Sequence, residues 1–177
     1  LTALTSGAGN VAIGYQAGAA ATTGAQNTYL GYLCADANTG NQNVAIGSGA
    51  LGDASADVDD SIAIGYSALA SADHANDDGV IAIGSEAFTN LSATDANNWS
   101  IAIGYKAGYT ASTGFAYGIA IGPKALYTNN NSSNIAIGYQ AGEVNIGNHN
   151  TIIGTNAGKN GVDVDNCVII GSNAGLD

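Results

Sequence analysis

The chain has 177 residues, a formal charge of -11, three lysines, no arginine and no methionine. That balance argues against nucleic acid or an anionic lipid surface as partner, since both are held by clustered cations, and no run approaches the ~18 apolar residues of a membrane helix, so no membrane insertion is expected. Ala (33), Gly (26) and Asn (20) dominate, whereas Leu, Ile, Val and Phe supply only 36 positions, so any core must be thin.

Ten segments carry one pattern: polar, β-branched, small, Ile, Gly, any, any, Ala. In chain order they are NVAIGYQA from Asn10, NTYLGYLC from Asn27, NVAIGSGA from Asn43, SIAIGYSA from Ser61 and VIAIGSEA from Val80. SIAIGYKA from Ser100, GIAIGPKA from Gly118, NIAIGYQA from Asn134, NTIIGTNA from Asn150 and CVIIGSNA from Cys167 complete the array. The pivotal glycines are Gly14, Gly31, Gly47, Gly65, Gly84, Gly104, Gly122, Gly138, Gly154 and Gly171, spaced by 16 to 20 residues. A fixed period of this length is the mark of a solenoid. The expected fold is therefore all-β: one parallel β-roll or β-solenoid of about ten coils over residues 1–177.

Each unit reads as a short strand closed by a glycine corner. Alternation puts Val11 and Ile13 on one side and Ala12 and Gly14 on the other, and likewise in the other copies. The expectation is that the Val and Ile columns form the interior, leaving the Ala/Gly side as a flat outer stripe on which another chain packs. The Ala three places after each glycine (Ala17, Ala50, Ala68, Ala87, Ala107, Ala125, Ala141, Ala157 and Ala174, with Cys34 as the exception) reads as a second inward corner. Length varies only in Asn-, Asp-, Ser- and Gly-rich intervals such as DASADVDD and YTNNNSS, which read as ejected loops. No basic stretch or apolar leader opens the chain at Leu1, and neither outermost copy carries a polar cap. A processed protein or a stretch of a longer fibre is expected, extended covalently or end to end.

These units, and the string AIGYQAG that occurs at Ala12 and again at Ala136, resemble the AIG-type repeats of trimeric autotransporter adhesin heads and the NTAIGYQAG-like repeats of bacteriophage tail fibres. The resemblance covers every copy. It implies a left-handed β-roll with two short strands per turn, usually a homotrimer on an extracellular, virion or cell-surface fibre. The longer, uneven period is more similar to the phage-fibre version.

Enzyme chemistry finds little support. His74 and His149 lie in loops without a Ser or Cys nucleophile motif beside them, and solvated loop histidines are the better reading. GSGALG at Gly47–Gly52 matches a dinucleotide fingerprint only by accident, because no βαβ unit surrounds it. Asp53, Asp57, Asp59, Asp60, Asp73, Asp77 and Asp78 fall in two consecutive loops. A solvated charge patch is the leading reading and a Ca²⁺ site the alternative, Asp57, Asp59, Asp60, Asp73, Asp77 and Asp78 being its candidates.

Tyr15, Tyr32, Tyr66, Tyr105 and Tyr139 follow pivotal glycines, covering a corner, lining an interchain seam, or offering an aromatic ridge to a host-surface glycan. Cys34 and Cys167 lie eight coils apart and read as buried thiols. Sequons occur at Asn90, Asn98, Asn130 and Asn131. The expected role is a non-enzymatic structural fibre protein without cofactor. The alternatives are a loop-borne glycan- or cell-surface-binding adhesin module and a self-assembling filament. An ice-binding solenoid is disfavoured, since Thr takes the β-branched position only at Thr28 and Thr151.

Overall fold

The computed structural model describes residues 6–52, 57–72, 78–91, 99–111, 115–129, 131–144, 147–161 and 164–176. It is a β-solenoid. Ten three-residue strands stack in parallel into one sheet: β1 (Val11–Ile13), β2 (Thr28–Leu30), β3 (Val44–Ile46), β4 (Ile62–Ile64), β5 (Ile81–Ile83), β7 (Ile101–Ile103), β9 (Ile119–Ile121), β10 (Ile135–Ile137), β11 (Thr151–Ile153) and β12 (Val168–Ile170). Register is kept from rung to rung, Ala63 lying opposite Ala45 and Ala82, so every column of the repeat is also a column in space.

The resemblance implied two strands per turn. Along most of the rod the described residues show one; a second ladder runs only beside the middle rungs, where β6 (Asn90–Leu91) pairs with β8 (Thr110–Ala111) and continues through the bridges Thr110–Thr128 and Thr128–Val144.

Each coil closes through corners of positive φ. The pivotal glycines take φ between +125° and +151°, a region that side chains avoid, and a Cβ on Gly104 would lie 2.7 Å from the carbonyl carbon of Gly122 in the next rung. Two places later comes a left-handed residue such as Ser67 (φ 49°) or Lys106 (φ 54°), two further on another such as Leu69 (φ 51°), and a fourth stands just before the polar residue that opens the next unit, as at Gln42 (φ 60°). Each such non-glycine corner costs on the order of 1 kcal/mol. The cost is offset because the corner N–H groups still reach the neighbouring rung, Ser67 donating to Ser48 O at 3.0 Å and Gln42 to Ala25 O at 2.9 Å.

The interior reverses the expected sidedness. Ala45, Ala63, Ala82, Ala102, Ala120 and Ala136 are wholly buried, whereas Ile13 is 60% and Ile137 37% exposed. Alternation holds, but the Val and Ile columns face outward and the Ala column inward. The reason is room: a coil turned at four points in so few residues encloses space for methyl groups, backbone and little else. Larger side chains enter at particular corners and rungs, Leu51, Leu69 and Leu126 being wholly buried just after the inward Ala. Tyr29 and Ile152 occupy the central strand position in β2 and β11, and Phe88 meets Phe115 edge-on at 5.2 Å where Gly108 leaves space for its ring. The inward corner expected three places after the glycine holds for Ala17, Ala50, Ala68, Ala87, Ala107, Ala125, Ala141 and Ala157, all buried along with Cys34, while Ala174 in the last rung is only half-buried.

Where a unit opens with Asn or Ser that residue also points inward, Asn27, Asn43, Ser61, Ser100, Asn134 and Asn150 being buried, and its role was not foreseen. Asn10 Oδ1 accepts the backbone N–H of Asn27 (2.9 Å), Asn27 Oδ1 that of Asn43 (2.8 Å), and Asn43 Oδ1 that of Ser61 (2.9 Å). Ser61 Oγ accepts from Val80 (3.0 Å), and Asn134 and Asn150 repeat the pattern toward Asn150 and Cys167 (2.9 and 2.8 Å). Two residues earlier a second ladder runs the opposite way: Asn41 Oδ1 accepts from Ala25 N–H below it at 3.0 Å, Asp59 Oδ1 from Asn41 at 2.5 Å, and Asp78 Oδ1 from Asp59 at 3.0 Å. Side chains thereby satisfy backbone groups at a corner where strand pairing has stopped.

Candidate functional site

With Ala inside, the outer side of the ten-stranded sheet becomes the most distinctive surface. Two columns run its length: Val11, Thr28, Val44, Ile62, Ile81, Ile101, Ile119, Ile135, Thr151 and Val168 in one, and the residues two places later, from Ile13 to Ile170, in the other. Eighteen of these twenty side chains are aliphatic, two are Thr, and none is charged. Middle-rung members are half-covered by their column neighbours, while Leu30 (44%) and Val168 (71%) are more open. Ten rungs at the ~4.8 Å strand spacing make the face roughly 45 Å long.

Aromatic residues border it. Tyr15, Tyr32, Tyr66, Tyr105 and Tyr139 lie just past the strands and are all exposed, as are Trp99 and Tyr117 at the corner before β7 and β9. Tyr15 and Tyr32 stack at 5.4 Å, but Ser48, Ser85 and Pro123 occupy the intervening rungs, so the ridge is broken above Tyr32.

All three lysines line another edge. Lys106 pairs with Glu86 at 3.3 Å and lies over the rings of Tyr105 and Tyr109, the latter stacked on Tyr127 at 5.1 Å. Glu143 faces both Lys124 (3.8 Å) and Lys159 (3.7 Å), and Gln140 joins it by donating to Glu143 Oε2 and accepting from Lys159. Each of the three lysines is thus matched within the rod.

Of the acidic candidates, Asp73 and Asp77 lie outside the described residues, as do Asp53 and His74. Asp59 and Asp78 accept backbone N–H groups in the second ladder, Asp57 bonds Thr39 Oγ1, and Asp60 is an exposed corner. For Asp59 and Asp78 these are backbone-capping duties. Among the described residues no group of three or more His, Cys, Asp or Glu converges as a metal site, and no pocket opens.

Asn90 sits half-buried in β6 with its N–H donated to Tyr109 O, and Asn131 is half-buried in a turn; Asn98 and Asn130 lie outside the described residues. His149 is an exposed corner residue. Cys34 is the buried thiol expected: its Sγ lies 3.1 Å from Ala45 O, and burial pushes its pKa up to about 11. Cys167 departs from expectation in being only half-buried, and both thiols are free. Burial likewise raises Tyr29 to about 12.

The aliphatic face went unread in the sequence because it was placed inside. A signal did exist: Asn, Ala and Gly of each unit share one parity, and only a small, hydrogen-bonding set of that kind fits a narrow coil. Comparison with protein-family models, curated proteins and solved structures returns no match for this chain.

Proposed function

We propose that this protein is a non-enzymatic structural element of an extracellular fibre, a shaft or head segment like those of phage tail fibres or adhesins, presenting variable loops from an invariant rod. The observation that carries this reading is the unbroken register of ten rungs. Each turn is held to the next by the same backbone ladder and glycine pivot, joined in half of the units by an Asn side chain, so length is added unit by unit without redesign of the core. A rod of this kind is stiff, and its loops are free to vary because they carry little of its stability. Assembly as a homotrimer, or end to end into a filament, belongs to the same reading, as does a place on a virion or cell surface. Small-angle scattering tests it: an elongated particle with a rod-like cross-section is expected, and a compact sphere or flexible coil would overturn it.

A second reading, a glycan-binding adhesin module, is favoured by the exposed, stacked pair Tyr15 and Tyr32, whose rings could receive a sugar. A glycan array probed with the native protein and with Tyr15→Ala/Tyr32→Ala separates the two readings.

A further inference from the structure

We infer that the tyrosines just past the strands form a platform for an extended, uncharged β-1,4-linked glucan. The inference rests on the adhesin-module reading and narrows it to one class of glycan and one set of side chains.

The observation that carries it is a period. From β2 to β10 tyrosine follows the pivotal glycine on every second rung, at Tyr32, Tyr66, Tyr105 and Tyr139, while Ser48, Ser85 and Pro123 hold the rungs between. The backbone fixes this column in space rung by rung: Glu86 N–H donates to Tyr66 O at 2.8 Å, Lys106 N–H to Ser85 O at 3.1 Å and Lys124 N–H to Tyr105 O at 2.8 Å. Successive tyrosines are therefore set at about 9.6 Å, two strand spacings, and the four span about 29 Å.

Small residues on the intervening rungs keep the ring faces open. Tyr15 and Tyr32, on adjacent rungs, stack at 5.4 Å and cover the faces they share. Tyr66, Tyr105 and Tyr139 have no ring on the rung next to them in this column and are 46% to 60% exposed.

A straight β-1,4-linked glucan has the matching repeat. Each sugar advances by slightly more than one strand spacing and is turned over relative to the last, so the same apolar ring face returns about every two rungs. Tyrosine offers that face a flat apolar ring with a hydroxyl at its edge. The Glu86–Lys106 ion pair (3.3 Å), with Lys106 over Tyr105 at 5.4 Å, puts an acceptor and a donor beside the comb for sugar hydroxyls, which both give and take hydrogen bonds. Paired charges suit a neutral ligand, and the chain's charge of -11 works against an acidic one.

Other linear occupants fit less well. An extended peptide strand repeats its faces every ~6.8 Å, out of step with the rings. A polyproline helix repeats every ~9.3 Å, near enough in length, but has no N–H to offer the Glu86 carboxylate. Among the described residues no pocket opens to take the acetamido arm of an amino sugar.

Isothermal titration calorimetry of the native protein with cellobiose, cellotetraose and cellohexaose, which reach one, two and three rings, should show affinity rising about fivefold per ring gained. Maltohexaose, whose α-linked chain coils, should not bind. Tyr66→Ser/Tyr105→Ser installs the residue that the β3 and β5 rungs already carry at this position, and should weaken cellohexaose binding about 25-fold with unchanged circular dichroism. Ser85→Tyr separates spacing from aromatic area: it adds a ring, yet by stacking on Tyr66 and Tyr105 it should weaken binding.

Equal affinity for the three lengths, native affinity in Tyr66→Ser/Tyr105→Ser, tighter binding by Ser85→Tyr, or a preference for chitohexaose or a polyproline peptide over cellohexaose would each overturn the inference. A glycan array keeps its failure apart from that of the adhesin reading: hits confined to other glycans overturn the β-1,4-glucan assignment alone, whereas an array with no hits overturns both.

Discussion

Asn43 and Ser61 are joined across two rungs by a 2.9 Å hydrogen bond from the Ser61 backbone N–H to Asn43 Oδ1, while Asn43 Nδ2 donates to Val58 O at 2.5 Å. Asn43 is fully buried, so its amide serves two backbone groups that water cannot reach. Asn43→Ala should leave both unsatisfied and cost about 2–6 kcal/mol, at ~1–3 kcal/mol per orphaned group. Asn43→Ser should recover about half, since Ser61 Oγ already does this work toward Val80. Urea unfolding of the three proteins checks the order.

Glycine and left-handed corners should respond in opposite ways. Gly104→Ala places a Cβ against the Gly122 carbonyl at φ +130° and should cost about 3 kcal/mol or more. Ser67→Gly trades left-handed strain (φ 49°) against chain entropy and should stay within about 1 kcal/mol of the parent. Thermal unfolding of the pair measures the contrast; equal losses would show that the pivot column is not the tight point of the coil.

The reversed sidedness is tested by adjacent residues. Ala82→Leu forces three extra carbons between Ala63 and Ala102 and should cost about 3 kcal/mol, at the upper end for overpacking. Ile83→Leu, one residue on and facing out, should change stability of the single rod by less than about 1 kcal/mol. If the Val/Ile columns were the interior, the larger effect would fall on Ile83.

Alkaline pH should destabilise the rod through Cys34 and Tyr29. Both are held neutral by burial, Cys34 at about 11 against 9.0 and Tyr29 at about 12 against 10.0. Between the unfolded and folded values the unfolded chain has lost a proton that the folded chain keeps, so stability falls as pH rises. The loss runs from about pH 9 to 11 for Cys34 and from about 10 to 12 for Tyr29. Each group contributes on the order of 2–3 kcal/mol at the end of its window. Denaturant midpoints for the parent and for Cys34→Ala, which fits the column's usual residue, should diverge in slope only above about pH 9.

Much of the fold was legible because the repeat constrains it. Glycine at one position of every unit, at spacings of 16 to 20, identified the corner, the strand before it and the stacking of copies. Ala three places later correctly marked an inward corner. The opening residue, Asn in five of the ten copies and Ser in two, was visible only as polar; nothing local says that an Asn amide reaches the next rung, since its partners lie 13 to 18 residues away. Asp59 and Asp78 likewise looked like free carboxylates until neighbouring coils brought backbone N–H groups to them.

The amino-acid sequence alone determined that this chain winds, where each turn breaks and how many rungs it stacks, because glycine pivots and β-branched pairs recur at positions no other arrangement satisfies. Which side of the strands lies inside was decided only by closure of the coil. Period-two alternation offers two faces with equal local logic, and only the width left between successive corners admits alanine methyls and turns the isoleucines outward.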